Sequence, residues 1–575
     1  MHGAENVMRY KSVLNRINVF PVADGDTGTN LHATMRSILN ESKPANSVKR
    51  TLESIADASL GGARGNSGII FSQFLNGVSM EIAGGTTVSM EDFVLANKKS
   101  VEYAYKAVSN PVEGTMLTVI KDWADSLFDF HKNANSFQEL LSHGYEVIEK
   151  SLKRTMVQLN VLRKAGVVDS GAKGFVLFIK GFMEAIIHGK KSSYTETEVI
   201  DDTKAPDLHL QTVFRYCVEA KIRGCDDIEK LRKALTGHGD SLIVAGNERV
   251  ARIHIHTNDP VDVFDIVGSH EEILHQKVDD MKLQSDIIEN RKYDIALVTD
   301  SIADLPQEMI DEHQVHVIPI NIHLKGIEYL DKLTITNDRI IQAIDEEPEF
   351  PTSSQPDIKT VENTFENLLQ YYDSVIAITV ASKLSGTYNT FIKAAENVSK
   401  EGKTIEVIDS KTNSGTQGLL VLECINRIKA GESVHQIVDA IENIIPKSKI
   451  IVSVSTLTNM IKGGRLGTRA GKIAEKLNLK PIVTLDEEGA GTLGGAAFSH
   501  KGSRKKIIRT LVKLYKNNNL RSYAIVYIDD RNYAQDLAAS LESITGHKPE
   551  FISKTSSVIA ISAGKGAVAL SYVMK

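Results

Sequence analysis

Cysteine is nearly absent: Cys217, Cys225 and Cys424 are the only three in 575 residues. Such sparse usage leaves no disulfide framework and fits a reducing compartment. Long apolar runs are missing too. The most apolar stretch, Gly174 to Ile187, is broken by Lys180 and Glu184. It falls short of the roughly 20 residues that a membrane-spanning helix needs. The N-terminus lacks the basic-then-apolar layout of a signal peptide. A cytoplasmic protein without stable membrane insertion is therefore expected. No long basic tract occurs and the net charge is -6, so nucleic acid is not an expected partner. No short-period repeat or low-complexity segment is found. What remains is ordinary soluble composition, 42% apolar and 24% charged, in a chain long enough for several domains.

Residues 1–190 read as helix almost throughout. Val48–Leu60, Gly68–Ile82, Phe93–Val108 and Phe137–Leu152 space their apolar residues by threes and fours, and β-branched runs are scarce. This predicts an all-α domain. Ser192–Asp207, polar, acidic and ending in Ala205-Pro206, reads as a linker, with a surface loop inside one domain as the alternative. Beyond it, Phe214–Ile222, Ser241–Ala245 and Val250–His256 read as strands and Asp227–Leu235 as a helix. They predict a small α/β or α+β domain over 205–287. From 293 to 575 apolar strands alternate with helical segments: Ile295–Val298, Val315–Ile322, Val375–Val380, Thr404–Ile408, Ile450–Val454, Ile482–Leu485, Tyr523–Ile528 and Ser557–Ile561. That alternation predicts an α/β domain on largely parallel strands.

The segment Asn18-Val-Phe-Pro-Val-Ala-Asp24-Gly-Asp26-Thr-Gly-Thr29-Asn30 carries the most chemistry. Two carboxylates in a glycine-containing turn that opens a helix can hold a hard cation. Backbone N–H groups at the same turn can face a phosphate. One acidic glycine turn is a common surface feature. Three more loops sharpen the signal: Gly61-Gly-Ala-Arg-Gly65-Asn66-Ser67-Gly68, Glu113-Gly-Thr115-Met116, and Gly166-Val-Val-Asp169-Ser170-Gly171-Ala-Lys-Gly174. Each leads into a helix. Four such loops in one helical domain outline a Mg-nucleotide site and point to phosphoryl transfer.

Asn18–Asn30, Gly65–Gly68, Pro111–Met116 and Gly166–Gly174 resemble the nucleotide-binding L subunit of dihydroxyacetone kinases. They resemble the N-terminal domain of bacterial fatty acid kinase more closely. The resemblance implies an all-α helical barrel that binds ATP with Mg²⁺ at one end. It implies Asp24 and Asp26 as metal ligands, with Asn18 a further candidate. Thr29, Asn30, Asn66 and Ser67 would contact the cofactor's phosphates, with Thr115, Met116 and Asp169 beside the nucleotide. Such domains usually carry a segment ahead of the position where Met1 stands.

In the middle segment, His254 and His256 are two apart on a predicted strand, so both face one side. With Cys217 on another predicted strand they offer three ligands for Zn²⁺ and one open position. A His-x-His strand is more often structural. Phe214–Glu219, Gly239-Asp240-Ser241 and His254–Pro260 resemble the middle domain of fatty acid kinase, which implies that Cys217, His254 and His256 are metal ligands.

The C-terminal segment concentrates hydroxyls at predicted strand ends: Thr299-Asp300-Ser301, Ser353-Ser354-Gln355, Ser385-Gly386-Thr387 and Asp409-Ser410, then Gly464-Arg465. Hydroxyls there suit an anionic head group, although helix capping accounts for any one of them. In order and spacing these segments resemble the DegV family, whose members bind a fatty acid in a buried tunnel. The resemblance implies that Ser353, Ser354 and Ser385 bind the carboxylate and that Arg465 supplies positive charge and a catalytic contact. The family usually has Thr at the Ser353 position and His-Thr where Ser562-Ala563 stand.

The whole resembles a fusion of fatty acid kinase with its DegV-type carrier. The implied reaction phosphorylates a bound fatty acid with ATP, giving acyl phosphate for an acyltransferase. Transient membrane contact and a homodimer are further expectations; the connection around Ser285–Tyr293 is short, so transfer within one chain and transfer between the protomers of a dimer both stay open. A non-catalytic lipid-binding protein with a nucleotide-sensing domain and a small-polyol kinase are the alternatives.

Overall fold

Helical periodicity in the first third becomes ten helices among the described residues. These are α1 (His2–Arg9), α2 (Lys11–Arg16), α3 (Thr27–Glu41), α4 (Val48–Gly62), α5 (Gly65–Glu81), α6 (Met90–Ala107), α7 (Met116–Phe130), α8 (Phe137–Gln158), α9 (Asn160–Ala165) and α10 (Ser170–His188). The computed structural model describes residues 1–21, 25–189, 213–225, 227–247, 249–399, 402–466 and 480–575. Asp24 and the expected linker Ser192–Asp207 lie outside the described residues. The chain divides into two units, Met1–Ser285 and Asp286–Lys575.

Several helix starts are fixed by side chains that satisfy otherwise orphaned N–H groups. Ser89 caps α6, Ser136 caps α8, and Asp169 caps α10 by accepting from Ala172 N at 2.7 Å. The buried stripes of these helices share one core, in which Phe71, Phe74 and Phe175 pack edge to face and Trp123 is enclosed.

The first unit continues with β1 (Tyr216–Arg223), α11 (Ile228–Leu235), β2 (Asp240–Gly246), β3 (Val250–Thr257), α12 (Pro260–His270) and β4 (Ile273–Asp280). The strands form an antiparallel sheet in the order β2-β3-β1-β4. Ile243 and Ala245 of β2 belong to the helical core. Ser109 N donates to Leu242 O at 3.2 Å, and Arg249 and Asn247 both reach Asp57 on α4. The sheet and the helices are thus one packed body.

The second unit holds β5 (Ile295–Asp300), β6 (His316–Ile318), β7 (Asn321–Leu324), β8 (Ile327–Leu330), β9 (Thr352–Ser354), β10 (Ser374–Thr379) and β11 (Thr404–Asp409). It continues with β12 (Ser448–Ser453), β13 (Lys480–Leu485), β14 (Gly491–Ala497), β15 (Leu520–Tyr527), β16 (Ile552–Lys554) and β17 (Val568–Met574). The sheet β11-β10-β5-β6 is parallel, as expected. The six-stranded sheet β14-β13-β12-β17-β15-β16 is antiparallel except at β15-β16, which corrects the largely parallel expectation. Strand direction depends on distant pairing, not on local pattern. Two local readings also change. The expected strand Val315–Ile322 is two strands, interrupted around Pro319, whose ring removes a ladder donor. The expected strand Ser557–Ile561 is a helix, Ser557–Ala563, capped by Ser556. No described helix is long and apolar enough to cross a membrane.

Candidate functional site

In the first unit the helix starts predicted to bind nucleotide converge. Gly65 takes φ +57, and a Cβ there would lie 2.3 Å from Asn30 Nδ2, so the starts of α3 and α5 touch. A Cβ on Gly171 would lie 2.7 Å from Ser67 Oγ, 3.1 Å from Met116 Cε and 3.4 Å from Asp169 Oδ1. The starts of α5, α7 and α10 therefore meet at Gly171. Aligned N–H groups at helix starts favour an anion. Asn66 adds a buried Oδ1 with no partner among the described residues.

The remaining predicted residues of this group differ in their ties. Asp26 precedes α3 and its Oδ2 accepts from Asn30 Nδ2 at 2.7 Å. Asn18 is buried. Thr29 is bound to α2: its N donates to Asn15 Oδ1 at 2.9 Å and its Oγ1 accepts from Asn15 Nδ2 at 3.0 Å. Thr115 precedes α7 and donates its hydroxyl to Val112 O at 2.8 Å. Asp169 is fully enclosed, and burial pushes its carboxyl up to about 6 against the opposing amides of Ala172 and Met116.

The sheet presents a polar face built by strand alternation. Cys217 lies opposite His256 across β1-β3, and Glu219 lies opposite His254. All four are buried. The ligand atoms of Cys217, His254 and His256 lie within 4.8 Å of one another, with the two Nε2 atoms 3.2 Å apart. A carboxylate oxygen flanks each imidazole: Glu219 Oε1 is 3.7 Å from His254 Nδ1, and Asp240 Oδ1 is 3.2 Å from His256 Nδ1. At 3.2 Å Asp240 stands where an outer partner orients a metal-bound histidine, whereas Glu219 at 3.7 Å is a charge contact longer than a hydrogen bond. Burial raises the Cys217 thiol well above its ordinary value, assisted by Glu219 and Asp279. Such a thiol yields a thiolate when a metal cation displaces its proton. Burial opposes ionisation of Glu219, yet His254, Lys277 and the Gly65 amide hold its carboxyl well below the usual range. One thiolate and two imidazoles fit Zn²⁺ with a fourth position open.

Glu219 and Asp240 stand in segments that carry the resemblance, and Arg252 stands on the predicted strand Val250–His256, but none was assigned a role, although Glu219 follows Cys217 at the two-residue spacing that puts both on one face. Arg252 reaches the turn before α5: its Nε donates to Leu60 O at 3.0 Å and its Nη2 to Gly61 O.

In the second unit Ser353 sits on β9 opposite Ile322 of β7, and Ser354 Oγ is 2.8 Å from His323 Nε2. Ser385 Oγ is 2.8 Å from Thr387 Oγ1. The Gln355 side chain presses against Gly386, where a Cβ would lie 1.7 Å from Oε1. The two serine-bearing segments therefore meet. Arg465 donates to Gly463 O on its own turn, and no hydrogen bond among the described residues joins it to Ser353 or Ser385. Behind these loops three buried carboxylates tie distant elements together. Asp300 accepts from Val380 N and Gln417 Nε2, Asp304 from Ser414 Oγ and Ser556 N, and Asp331 from Ser301 Oγ and Ser557 N. Lys332 Nζ lies 3.1 Å from Asp304.

Comparison with known proteins divides the chain in three. The DAK2 domain family matches residues 21–184, and the fatty acid kinase A-like middle domain family matches residues 213–288. The DegV family, described as uncharacterised proteins, matches residues 294–575. An uncharacterized protein of Staphylococcus epidermidis is 35% identical over 301 residues, 49% of this chain and 54% of its own. The chain spans about half the length of the curated relatives it matches. A DegV family protein from Thermus thermophilus, described for its fatty acid binding, is 29% identical. It covers 49% of this chain and 99% of its own with a TM-score of 0.45. DegV from Bacillus subtilis, a fatty acid binding protein, is 27% identical over 49% and 100% respectively, with the same TM-score of 0.45.

Proposed function

We infer that this chain, which joins a DAK2 domain and a fatty acid kinase A-like middle domain to a DegV domain, phosphorylates a fatty acid held by its own DegV domain. The observation that carries the reading is the meeting of four helix-start loops at Gly65 and Gly171, in one packed body with a buried Cys-His-His face. Such loops suit a nucleotide's phosphates, and the middle-domain match narrows the class of acceptor.

In the proposed reaction a carboxylate oxygen of the fatty acid bonds to the γ-phosphorus of ATP. The bond from that phosphorus to the bridging oxygen breaks, and ADP leaves with the electron pair. A fatty acid carboxyl ionises at a pKa of about 4 to 5, so no strong general base is required at neutral pH. The protein's task is alignment of two anions and neutralisation of their repulsion. Asp26, with Asp24 and Asn18, would hold Mg²⁺, which when bound offsets phosphate charge. Asn30, Asn66 and Ser67 would orient the phosphates from the starts of α3 and α5, with Thr29, Thr115, Met116 and Asp169 around the nucleotide. Ser353, Ser354 and Ser385 would receive the fatty acid carboxylate, and Arg465 would offset its charge. Cys217, His254 and His256 would hold Zn²⁺. The acyl phosphate would pass to an acyltransferase.

Lipid extraction with mass spectrometry, then ATP and Mg²⁺ in the presence of hydroxylamine, tests the reading. Bound fatty acid converted to its hydroxamate is expected. Asp24→Ala combined with Asp26→Ala should abolish the hydroxamate and leave the bound lipid. Bound lipid without hydroxamate would replace this reading with a lipid-binding, nucleotide-sensing protein. Absence of lipid would move a small-polyol kinase to the front.

A further inference from the structure

Two charged side chains of one sheet grip the Gly61–Gly65 turn. Arg252 on β3 donates to Leu60 O and Gly61 O at the carbonyl end of α4. Glu219 on β1 accepts from Gly65 N at 2.6 Å, at the amide end of α5. Each charge has the sign that its helix end favours. Both residues are buried, at 8% and 7% exposure. The turn that precedes Asn66 and Ser67 is therefore fixed at both ends by the middle-domain sheet.

Glu219 has a second neighbour. The same Oε1 that accepts from Gly65 lies 3.7 Å from His254 Nδ1. His254 Nδ1 also lies 3.8 Å from Cys217 Sγ, and the Nε2 atoms of His254 and His256 lie 3.2 Å apart, so a His254 that gives Nε2 to a metal keeps its Nδ1 beside Glu219. One carboxylate thus faces both the phosphate loop and the Cys-His-His centre. The Asp26 carboxylate is also close enough to act electrostatically on Cys217 and His256.

We propose that Glu219 is a positioning residue that couples the two sites, so that a metal at Cys217, His254 and His256 tightens nucleotide binding at the Gly65–Gly68 loop, and nucleotide tightens metal binding. The proposal rests on the phosphotransferase reading above. Ligation fixes the His254 ring, the ring fixes the Glu219 carboxylate, and the carboxylate fixes the Gly65 amide and the start of α5. Without the metal, ordering this chain of contacts is a cost of nucleotide binding. By linkage the effect is the same size in both directions.

The test titrates the full chain calorimetrically with ADP in excess Mg²⁺. One sample is Zn²⁺-loaded and one is treated with a zinc-selective chelator, with metal content measured by mass spectrometry. ADP is expected to bind roughly 5- to 100-fold more tightly to the loaded protein, the usual range of such couplings. Glu219→Gln keeps an acceptor for Gly65 N and loses the charge toward His254. Its ADP affinity should match that of chelated wild type and ignore Zn²⁺. Cys217→Ser, which weakens the metal centre itself, should give the same affinity and serves if Glu219→Gln does not fold. Equal ADP affinity in loaded and chelated wild type overturns the coupling, as does an undiminished Zn²⁺ response in Glu219→Gln. Absence of Zn²⁺ binding overturns the coupling and leaves the phosphotransferase reading standing. Absence of ADP binding in both forms overturns that reading, and the coupling with it.

Discussion

His316 opens β6 with its ring enclosed and its Nε2 without a partner among the described residues. Its aromatic neighbour Tyr372 meets it edge-on at 6.4 Å. Burial alone pulls the imidazole down to about 4. The folded value therefore lies below the unfolded one of about 6.5, and the unfolded chain takes up the proton first as pH falls. The neutral ring's contribution is fully present above pH 6.5 and is lost progressively toward pH 4. The loss is about 3 kcal/mol by linkage. His316→Phe keeps an apolar ring of similar size and removes the proton uptake. Urea midpoints of the second unit should therefore fall less steeply in His316→Phe than in wild type over that window. Parallel pH profiles would show that His316 is not the group responsible. Nothing in the sequence marked this residue, because burial of one imidazole is set by elements far from it in the chain.

The helix Ser557–Ala563 shows the same limit at the scale of an element. Its β-branched, apolar sequence reads as a strand. Its first turn is instead anchored by two carboxylates from elsewhere: Ser556 N donates to Asp304 Oδ1 at 2.6 Å and Ser557 N to Asp331 Oδ1 at 2.8 Å. Buried anions at a helix start satisfy orphan N–H groups and match the local dipole. Asp331 also accepts from Ser301 Oγ at 2.6 Å, so it joins this helix to the end of β5. Asp331→Ala takes the acceptor from the buried Ser301 hydroxyl, whose oxygen still accepts from Ile320 N, and leaves the buried Ser557 amide unpaired. It should destabilise the second unit by roughly 2–4 kcal/mol, the range for a broken buried network. Urea unfolding followed by circular dichroism would register it, and an unchanged midpoint would remove Asp331 from the fold's supports. Where the determinants are local, the sequence was readable. The helices at Val48–Gly62 and Phe137–Gln158 follow from apolar spacing, and His254 and His256 share a face by strand alternation, which Cys217 joins through the β1-β3 register. Glu219 obeys the same alternation, but its contact with Gly65 joins residues 154 apart, which no local pattern encodes.

At the scale of the molecule, the change from helical to strand periodicity near Thr212 does not mark a break in packing. Ile243 and Ala245 of the sheet lie in the helical core, and the first unit runs through Ser285. The second unit has cores of its own, centred on residues such as Ile378 and Leu420, Ile322 and Val483, and Ile525 and Leu570. Bodies with separate cores are expected to unfold as separate cooperative transitions. One residue makes this testable. Trp123 is the only tryptophan in the chain, is 1% exposed, and donates Nε1 to Asn97 Oδ1 at 3.0 Å within the first unit. Its emission reports the first unit alone, whereas far-ultraviolet circular dichroism reports helices and strands of both. The two probes should therefore give non-coincident urea curves, with a dichroism phase in which Trp123 emission stays constant. Asp331→Ala should shift only that silent phase. Superimposable curves from both probes would mean that the two cores unfold as one, and a mutation in either would then move the whole transition.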